Sequence, residues 1–335
     1  MISLKSNKIK ALAAGLMLTL ALGALGCGGD KKVAGAKAEK VNVGIVQLVE
    51  HEALDAANKG FVDGLASKGY KEGQNITFDK QNAQADQSNL QNIAHRFVNN
   101  KVDLICAIAT PAAQTVANVT SDIPIVATAV TDYKTAKLVK DDAKPGTNVT
   151  GTTDMNPVAE QLDLLLKLVP NAKTIGTIYC SSEVNSQLQV ELLKKAAAAK
   201  GITVKEATVS TVNDIQQAAR SLAGDVQAVY VTTDNVLASA IPTLISVTEE
   251  AKLPVICAEG GMVRAGGLAT LGVDYYKLGF QTGVMAADIL SGKAKPADMA
   301  IQAQKEFKPT INLKEAAKIG LKVPEDLLKG ADVIK

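Results

Sequence analysis

Polar residues that could bind a small solute follow several apolar runs of this 335-residue chain. Gln47 and His51 come after the run VNVGIV (41–46), and Asp234 and Asn235 come after QAVYVT (227–232). In open parallel sheets, ligands bind beyond the carboxyl ends of the strands, so residues at these positions are candidates for a binding site. We expect the set to face one cleft between two lobes. Its other members are Thr110, Pro111, Ala112, Thr131, Asn185, Ser186 and Glu259.

The mixture of groups in this set suits a free amino acid, which presents a carboxylate and an ammonium. A carboxylate is bound by helix N-terminal amides and by Ser or Thr hydroxyls, whereas an ammonium is bound by Asp or Glu. We predict that the carboxylate is bound at Thr110, Ala112 and Thr131. We predict that the ammonium is bound by Asp234 together with Glu259 or Asp274.

Individual members of the set have simpler alternative roles. Thr110 and Asn156 each precede a proline, and the role of each could be no more than to cap a helix. Asp234 could likewise cap the helix that follows it. His51 could be a solvent-facing loop residue. A ligand is favoured because polar residues recur at several strand ends, whereas a single helix cap is ordinary.

The composition bears on which ligand and which partners are plausible. Carbohydrate receptors sandwich sugar rings between aromatic faces, and this chain has no Trp, 5 Phe and 6 Tyr, so an amino acid is favoured over a sugar. The net charge of +2 gives no electrostatic case for a nucleic-acid partner. An aromatic ligand would need apolar walls, for which the candidates are Leu48, Met155, Tyr179, Met262 and Tyr275.

Signatures of catalysis are poor. The chain has two histidines, His51 and His95, and it lacks the HExxH, GxSxG and GxxxxGK[ST] patterns. Three cysteines, Cys106, Cys180 and Cys257, each lie in an apolar run without a CxxC pair, which indicates core residues and no metal site. We therefore expect no enzyme and no cofactor. An exported α/β enzyme that uses Asp234, Glu259 and a water is the alternative.

Apolar runs alternate with helical patterns along the chain, which is typical of βαβ units on a parallel sheet. Because the runs are apolar on successive residues, their strands should be buried on both faces. The alternation occurs twice, from Val41 to about Val149 and from Ala172 to about Glu259. The sequence therefore predicts an α/β fold of two Rossmann-like lobes with parallel sheets, joined by a hinge that the chain crosses several times. The runs are residues 41–46, 102–109, 124–130, 174–180, 227–232 and 254–258.

The predicted division into lobes follows from this alternation. The N-terminal lobe comprises residues 41–150 plus about 275–305, and the C-terminal lobe comprises residues 151–274 plus about 306–335. The hinge is expected near residues 150–154, at the end of the Gly- and Thr-rich stretch PGTNVTGTTD (145–154), and near Asp274.

The N-terminus has the pattern of an export signal. Three lysines within the first ten residues precede an uncharged apolar segment at residues 11–25, and Gly26 directly precedes Cys27. We predict a signal peptide at residues 1–26, a lipid-modified Cys27 and a flexible tether up to residue 40. The protein would be extracytoplasmic and anchored to the membrane by its N-terminal lipid. Ordinary secretion and a retained signal anchor are the alternatives.

Six segments together resemble the ABC-transporter substrate-binding proteins of the tryptophan/tyrosine type. They occur in the expected order and cover the chain from Val41 to about Leu328. The segments are VEHEALDAANKGFVDGL (49–65), AIATPAAQTVAN (107–118), IPIVATAVTD (123–132), NVTG (148–151), VYVTTDN (229–235) and LGVDYYKLGFQTG (271–283).

This resemblance implies a type I periplasmic-binding fold without catalysis. It also implies a monomer that captures a solute, for which an aromatic amino acid such as Trp or Tyr is the candidate, and presents it to an ABC permease in the membrane. The segment Ala258-Glu259-Gly260 departs from the family pattern, where a shorter acid or a serine is more usual. A ligand-binding sensor that docks a membrane receptor is an alternative function, and a surface adhesin is a further one. The resemblance implicates Gln47, His51, Thr110, Pro111, Thr131, Asn185, Ser186, Asp234, Asn235 and Asp274.

Overall fold

The computed structural model of the chain describes residues 40–335. The predicted signal peptide, the predicted lipid site at Cys27 and all but the last residue of the predicted tether lie outside the described residues. Among residues 40–335, no helix combines the length and the apolar character that crossing a bilayer requires.

The first half of the described chain alternates strands and helices, as the sequence predicts. Strands with four or more successive buried residues, such as the third and fourth, are covered by helices on both faces. The elements are β1 (Val41–Gln47), α1 (Glu52–Ser67), β2 (Ile76–Asn82), α2 (Gln87–Asn99), β3 (Leu104–Ile108), α3 (Thr110–Val119), β4 (Ile125–Val130) and β5 (Val149–Thr153).

The second half repeats the alternation and then returns to the first sheet. Its elements are α4 (Val158–Leu168), β6 (Thr174–Cys180), α5 (Val184–Ala198), β7 (Thr203–Val209), α6 (Ile215–Leu222), β8 (Val229–Val231), α7 (Asn235–Ser239), α8 (Ile241–Glu250), β9 (Val255–Cys257), α9 (Gly260–Arg264), β10 (Ala269–Gly272), α10 (Tyr275–Leu290), β11 (Gln302–Ala303), β12 (Lys308–Asn312), α11 (Leu313–Ile319) and β13 (Asp332–Ile334).

These strands form two sheets, one in each lobe. The first sheet has the order β11-β5-β4-β3-β1-β2 with all neighbours parallel, and the second has the order β13-β12-β10-β9-β8-β6-β7. In the second sheet β12 runs antiparallel to β10, so this sheet is mixed where the sequence predicts a parallel one. The chain passes between the sheets after β5, after β10 and after β11. The exact bounds of the lobes remain a prediction, and β5 extends to Thr153 within the first sheet.

Helix α10 returns the chain to the first lobe by packing closely on α1. Gly60 of α1 lies against the backbone of α10, and a Cβ added there would overlap the carbonyl oxygen of Tyr276. Gly279 of α10 lies against α1 in the same way, and its Cβ would overlap the carbonyl oxygen of Ala57. The two helix backbones are therefore in direct contact, which fixes the start of α10 next to the cleft.

Two capping predictions were wrong. Thr110 is the first residue of α3 and not its N-cap; the N-cap is Ala109, which has no capping side chain. The side chain of Asn156 caps nothing, and both of its amide atoms are buried without a hydrogen-bond partner. Helix α3 begins one residue before Pro111, and α4 begins one residue after Pro157, which is itself the N-cap. Thr110 and Asn156 also lie shortly after the ends of β3 and β5, where tertiary contacts compete with local capping.

Candidate functional site

A small cavity lies between the lobes where strands of both sheets end. Its volume is about 20 Å³, which is room for about one water molecule. Any larger solute therefore requires the lobes or the lining side chains to move. The lining residues are His51, Leu54, Ala129, Thr131, Asp154, Asn185, Thr233, Asp234, Asn235, Ala238, Glu259, Met262 and Tyr275.

Asp154 is a buried carboxylate at the first passage between the lobes. Its two oxygens accept hydrogen bonds from the hydroxyls of Thr131 (2.9 Å) and Tyr275 (2.7 Å). Burial raises the pKa of Asp154 above its ordinary value, although these two hydrogen bonds oppose the effect. The start of α10, which carries Tyr275, thus orients Asp154 toward the cavity.

Glu259 is a second buried carboxylate, and it follows β9. It caps α9 by accepting hydrogen bonds from the backbone amides of Gly261 (2.5 Å) and Met262 (2.7 Å). Burial raises the pKa of Glu259 to about 7 in spite of these bonds. Gln161 holds the backbone next to Glu259 in place, because its Nε2 donates to the carbonyl oxygen of the preceding residue, Ala258 (3.0 Å), and to that of Leu271 (2.7 Å).

Asp234 follows β8, and its carboxylate accepts three hydrogen bonds from its own lobe. Its carboxylate accepts hydrogen bonds from the amide of Cys180 (2.6 Å), the hydroxyl of Ser186 (2.7 Å) and the amide of Leu237 (2.9 Å). The alternative role of Asp234 as a helix cap is therefore correct, because it is the N-cap of α7. Burial raises its pKa.

A third carboxylate of the second lobe, Glu183, organises the two asparagines of the site. It accepts hydrogen bonds from the Nδ2 atoms of Asn235 (2.6 Å) and Asn185 (2.8 Å). Burial, together with the nearby carboxylate of Asp234, raises the pKa of Glu183. Because the amide nitrogen of Asn185 is directed to Glu183 and to the carbonyl of Thr233, its Oδ1 is left as a buried acceptor without a partner.

Two long contacts join the lobes at the cavity. His51 Nε2 lies 3.4 Å from Asn235 Oδ1, and Thr131 Oγ1 lies 3.3 Å from Thr233 Oγ1. Burial lowers the pKa of His51, so the ring stays uncharged near neutral pH. Both contacts are at the long end of hydrogen-bond geometry and hold the lobes together only weakly.

The backbone next to the cavity is strained at two alanines. Ala109, after β3, has a φ of +90°, and Ala129, near the end of β4, has a φ of +55°. The pairing of β4 with β5 is irregular between Ala127 and Val130. Non-glycine residues rarely adopt such φ values, and this kind of strain and of strand irregularity clusters at ligand sites.

The structure brings together half of the residues predicted to bind a ligand. The predicted residues that line the cavity are His51, Thr131, Asn185, Asp234, Asn235 and Glu259, and the wall candidates Met262 and Tyr275 do so too. Sequence reasoning placed Asp154 in the hinge and missed it as a site residue, although it follows a strand as the others do. Thr233 also lines the cavity, and the sequence indicated it by its position directly after the apolar run 227–232 and next to Asp234.

The other predicted residues lie outside the cavity lining, and their ligand roles remain predictions. Gln47 Nε2 donates a hydrogen bond to the carboxylate of Asp55 (2.6 Å), and Gln47 Oε1 accepts one from Asn58 (2.9 Å). Both partners are in α1. Asp274 caps α10 by accepting from the amide of Lys277. Pro111 lines a separate groove of about 480 Å³ between the lobes. Thr110, Ala112 and Ser186 are buried but do not line the cavity.

The site is acidic and has no buried cation. Asp154, Glu183, Asp234 and Glu259 are each more than nine-tenths buried in or beside the cavity, and no Lys or Arg is buried among residues 40–335. Burying a carboxylate without a partner cation is unfavourable, so this arrangement attracts a cationic group. Among the described residues, no cluster of three His, Cys, Asp or Glu side chains has a metal-binding arrangement.

The chain is similar to characterised proteins over most of its length. The family model described as ABC transporter substrate binding protein matches residues 42–335. The tyrosine-binding protein of Clostridioides difficile is 44% identical over 306 residues, which are 91% of this chain and 85% of that protein. An ABC domain of Streptococcus pneumoniae in complex with L-Trp is 41% identical, with a TM-score of 0.85 over 89% of this chain and 100% of that structure.

A further solved structure shows how the lobes are arranged. It is the ligand-free, open structure of a substrate-binding protein with adhesive properties from Clostridium difficile, 44% identical over 88% of this chain and 99% of that structure, with a TM-score of 0.68. The L-Trp complex superposes better, with a TM-score of 0.85, although its sequence is less similar. Since coverage is nearly equal, the lobes of this chain are arranged more like those of the L-Trp complex.

Proposed function

Because the chain belongs to the family of ABC transporter substrate-binding proteins, with a type I periplasmic-binding fold, we propose that it captures tyrosine or tryptophan between its lobes and delivers it to an ABC permease. The family is one of solute-binding proteins and not of enzymes, and such proteins act outside the cytoplasm. Attachment to the membrane through a lipid on Cys27 is part of this proposal.

The acidic character of the cavity is the observation that supports an amino acid as the ligand. An α-ammonium between Asp154 and Glu259 would neutralise two carboxylates whose burial is otherwise unfavourable. The unpartnered Oδ1 of Asn185 is a further acceptor for an ammonium hydrogen. This geometry favours Asp154 and Glu259 for the ammonium over Asp234, whose oxygens are already occupied by three donors of its own lobe. A neutral sugar would leave the carboxylates uncompensated.

Two observations favour an aromatic side chain. The relatives at 44% and 41% identity are a tyrosine-binding protein and a domain in complex with L-Trp. The cavity also has an apolar side, formed by Leu54, Met262 and the ring of Tyr275. A ring placed there would bury a large apolar area, which supplies the favourable free energy of binding.

Delivery would follow from closure of the lobes around the ligand. A ligand that contacts Asp154 in the first lobe and Glu259 in the second binds only when both lobes approach it, so it shifts the population toward the closed arrangement. Because the cavity of about 20 Å³ is too small for an aromatic amino acid, entry requires the lobes to separate and the lining side chains to adjust.

Isothermal titration of the full-length protein with the amino acids tests this proposal. We expect saturable binding of L-tyrosine or L-tryptophan, no binding of their N-acetyl derivatives, which lack the ammonium, and no binding of glucose or nucleosides. If a sugar or a nucleoside binds and no amino acid does, the proposed ligand is wrong. Uptake of the bound amino acid into cells that lack and then regain this protein tests delivery.

A matched pair of variants tests the residues. Asp154→Asn should weaken binding by about 2–5 kcal/mol, because it removes a buried charge that faces the ammonium. Asp274→Asn should leave the affinity unchanged, because Asp274 caps α10 outside the cavity and asparagine also caps helices. Equal losses in the two variants would contradict the placement of the ammonium.

A further inference from the structure

An ion pair joins the two lobes outside the ligand cavity. The guanidinium of Arg264, on α9 of the second lobe, pairs with the carboxylate of Glu52, in the first turn of α1 in the first lobe. The two helices contact each other at this point. Arg264 is also held from within its own lobe by Asp332, at 3.6 Å.

The backbone beside the pair allows this close approach. A Cβ added to Gly261 would lie 3.1 Å from the Cβ of Glu52, so a larger residue there would push α1 away from α9. The pair lies in a groove of about 240 Å³ that Glu259 and Tyr275 separate from the cavity. Neither Glu52 nor Arg264 lines the cavity itself, so neither is placed to touch a ligand bound there.

We propose that the Glu52–Arg264 pair is a latch that raises ligand affinity by stabilising the closed arrangement of the lobes. The pair joins α1, which follows β1 of the first sheet, to α9, which follows β9 of the second. In this proposal it breaks when the lobes separate. It therefore contributes free energy to the closed arrangement and none to an open one. A larger closed population raises the apparent affinity without any added contact to the ligand.

The other contacts between the lobes at the cavity are weaker than an ion pair. The two hydrogen bonds between the lobes there are long, at 3.3 and 3.4 Å. The Glu52–Arg264 pair adds an attraction between opposite charges of the two lobes. Because Arg264 and Glu52 are 43% and 51% exposed, its contribution is modest and sensitive to salt.

Three variants of the full-length protein separate the latch from general effects of charge. Glu52→Gln removes the contact between the lobes. Asp332→Asn removes the support that the same guanidinium receives within the second lobe. Glu249→Gln removes the ion pair with Lys318, which lies within the second lobe and is similarly exposed.

The affinity for L-tyrosine and L-tryptophan is measured by calorimetric titration at low ionic strength. We expect Glu52→Gln to weaken binding about two- to fivefold, and Asp332→Asn and Glu249→Gln to leave it unchanged. The effect of Glu52→Gln should vanish at about 1 M salt, where charges are screened within a few ångströms. Equal affinities for Glu52→Gln and the wild type at low salt, or equal losses in all three variants, would overturn the latch.

The affinity test rests on the proposed function, because it assumes the ligand. Small-angle X-ray scattering without ligand provides a readout that does not depend on that function. Glu52→Gln should have a larger radius of gyration than the wild type and than Glu249→Gln. If neither amino acid binds the wild type but scattering separates these variants, the ligand proposal fails and the latch stands. If scattering of all variants is identical, the latch fails whatever the ligand.

Discussion

Replacing Glu259 by Gln is expected to stabilise the ligand-free protein while weakening its affinity for the ligand. Burial raises the pKa of Glu259 from the ordinary 4.5 to about 7, which means that the folded protein disfavours the charged carboxylate. Each pKa unit corresponds to about 1.4 kcal/mol, so the charge destabilises the fold by roughly 3 kcal/mol above pH 7. Glutamine carries no charge, and its Oε1 can still accept one of the hydrogen bonds from the amides of Gly261 and Met262.

The sign of the pH dependence follows from the direction of this shift. Between pH 4.5 and about 7, folded Glu259 keeps a proton that the unfolded chain has lost, so the stability of the wild type falls as the pH rises through this window. Below pH 4.5 both states hold the proton and the penalty is absent. The variant should therefore be more stable than the wild type by about 1–3 kcal/mol at pH 8, after allowance for one weakened capping bond, and no more stable at pH 4.

Ligand binding should show the opposite dependence on pH. A ligand ammonium beside Glu259 favours the charged carboxylate, so binding releases a proton and the affinity of the wild type rises with pH up to about 7. The limit is tenfold per pH unit for one proton. In Glu259→Gln, binding is weaker, and its remaining dependence on pH comes from the other carboxylates of the site.

Urea denaturation followed by circular dichroism measures the first effect, and calorimetric titration in two buffers with different heats of ionisation measures the proton release. Taking the difference between variant and wild type cancels the titration of the other carboxylates. A stability difference that is the same at pH 4 and pH 8 would refute the assignment of a buried charge at Glu259. Release of as many protons by the variant as by the wild type would refute the contact with the ligand.

Two further substitutions test the framework of the site. Gly279→Ala should lower the free energy of unfolding by about 1–3 kcal/mol, because the added methyl overlaps the backbone of α1; an unchanged urea midpoint would contradict the direct contact of the two helices. Gln161→Leu should cost about 3 kcal/mol, since it leaves the Tyr230 hydroxyl and two strand-end carbonyls unpaired, and it should also weaken ligand binding through Glu259. Loss of stability with full affinity would mean that Gln161 does not position Glu259.

The sequence predicts the strands well because their apolar character is local and continuous. The runs at 41–46 and 174–180 become β1 and β6 to within one residue, and buried strands of a parallel sheet have few other ways to cover both faces. The antiparallel β12 was not predicted. Its residues read as an ordinary strand, and its direction is set by the return of the chain from the first lobe.

The site is harder to predict because a strand end fixes an edge of the sheet but not the direction of a side chain. Gln47 ends β1 as expected, yet it turns toward α1, where Asp55 and Asn58 satisfy its amide. Asp234 reaches the cavity, but local amides engage its oxygens as a helix cap. Asp154 becomes a site residue because Tyr275, which is more than a hundred residues away in the chain, orients it. Such long-range partners leave no local pattern in the sequence.

The arrangement of charges suggests why a binding protein would keep a site that destabilises it. Asp154 and Glu259 are buried at the cavity without a cation among its lining residues, and the contacts between the lobes there are long and weak. In the proposed complex, the ammonium of the ligand would compensate both carboxylates, so binding would favour closure more than it would around a neutral pocket. An exposed latch such as Glu52–Arg264 adds to closure without making it permanent, because its free energy is small. A protein that delivers its ligand to a permease, as proposed for this chain, would need such a balance, since a site that closed tightly by itself would neither admit nor deliver a solute.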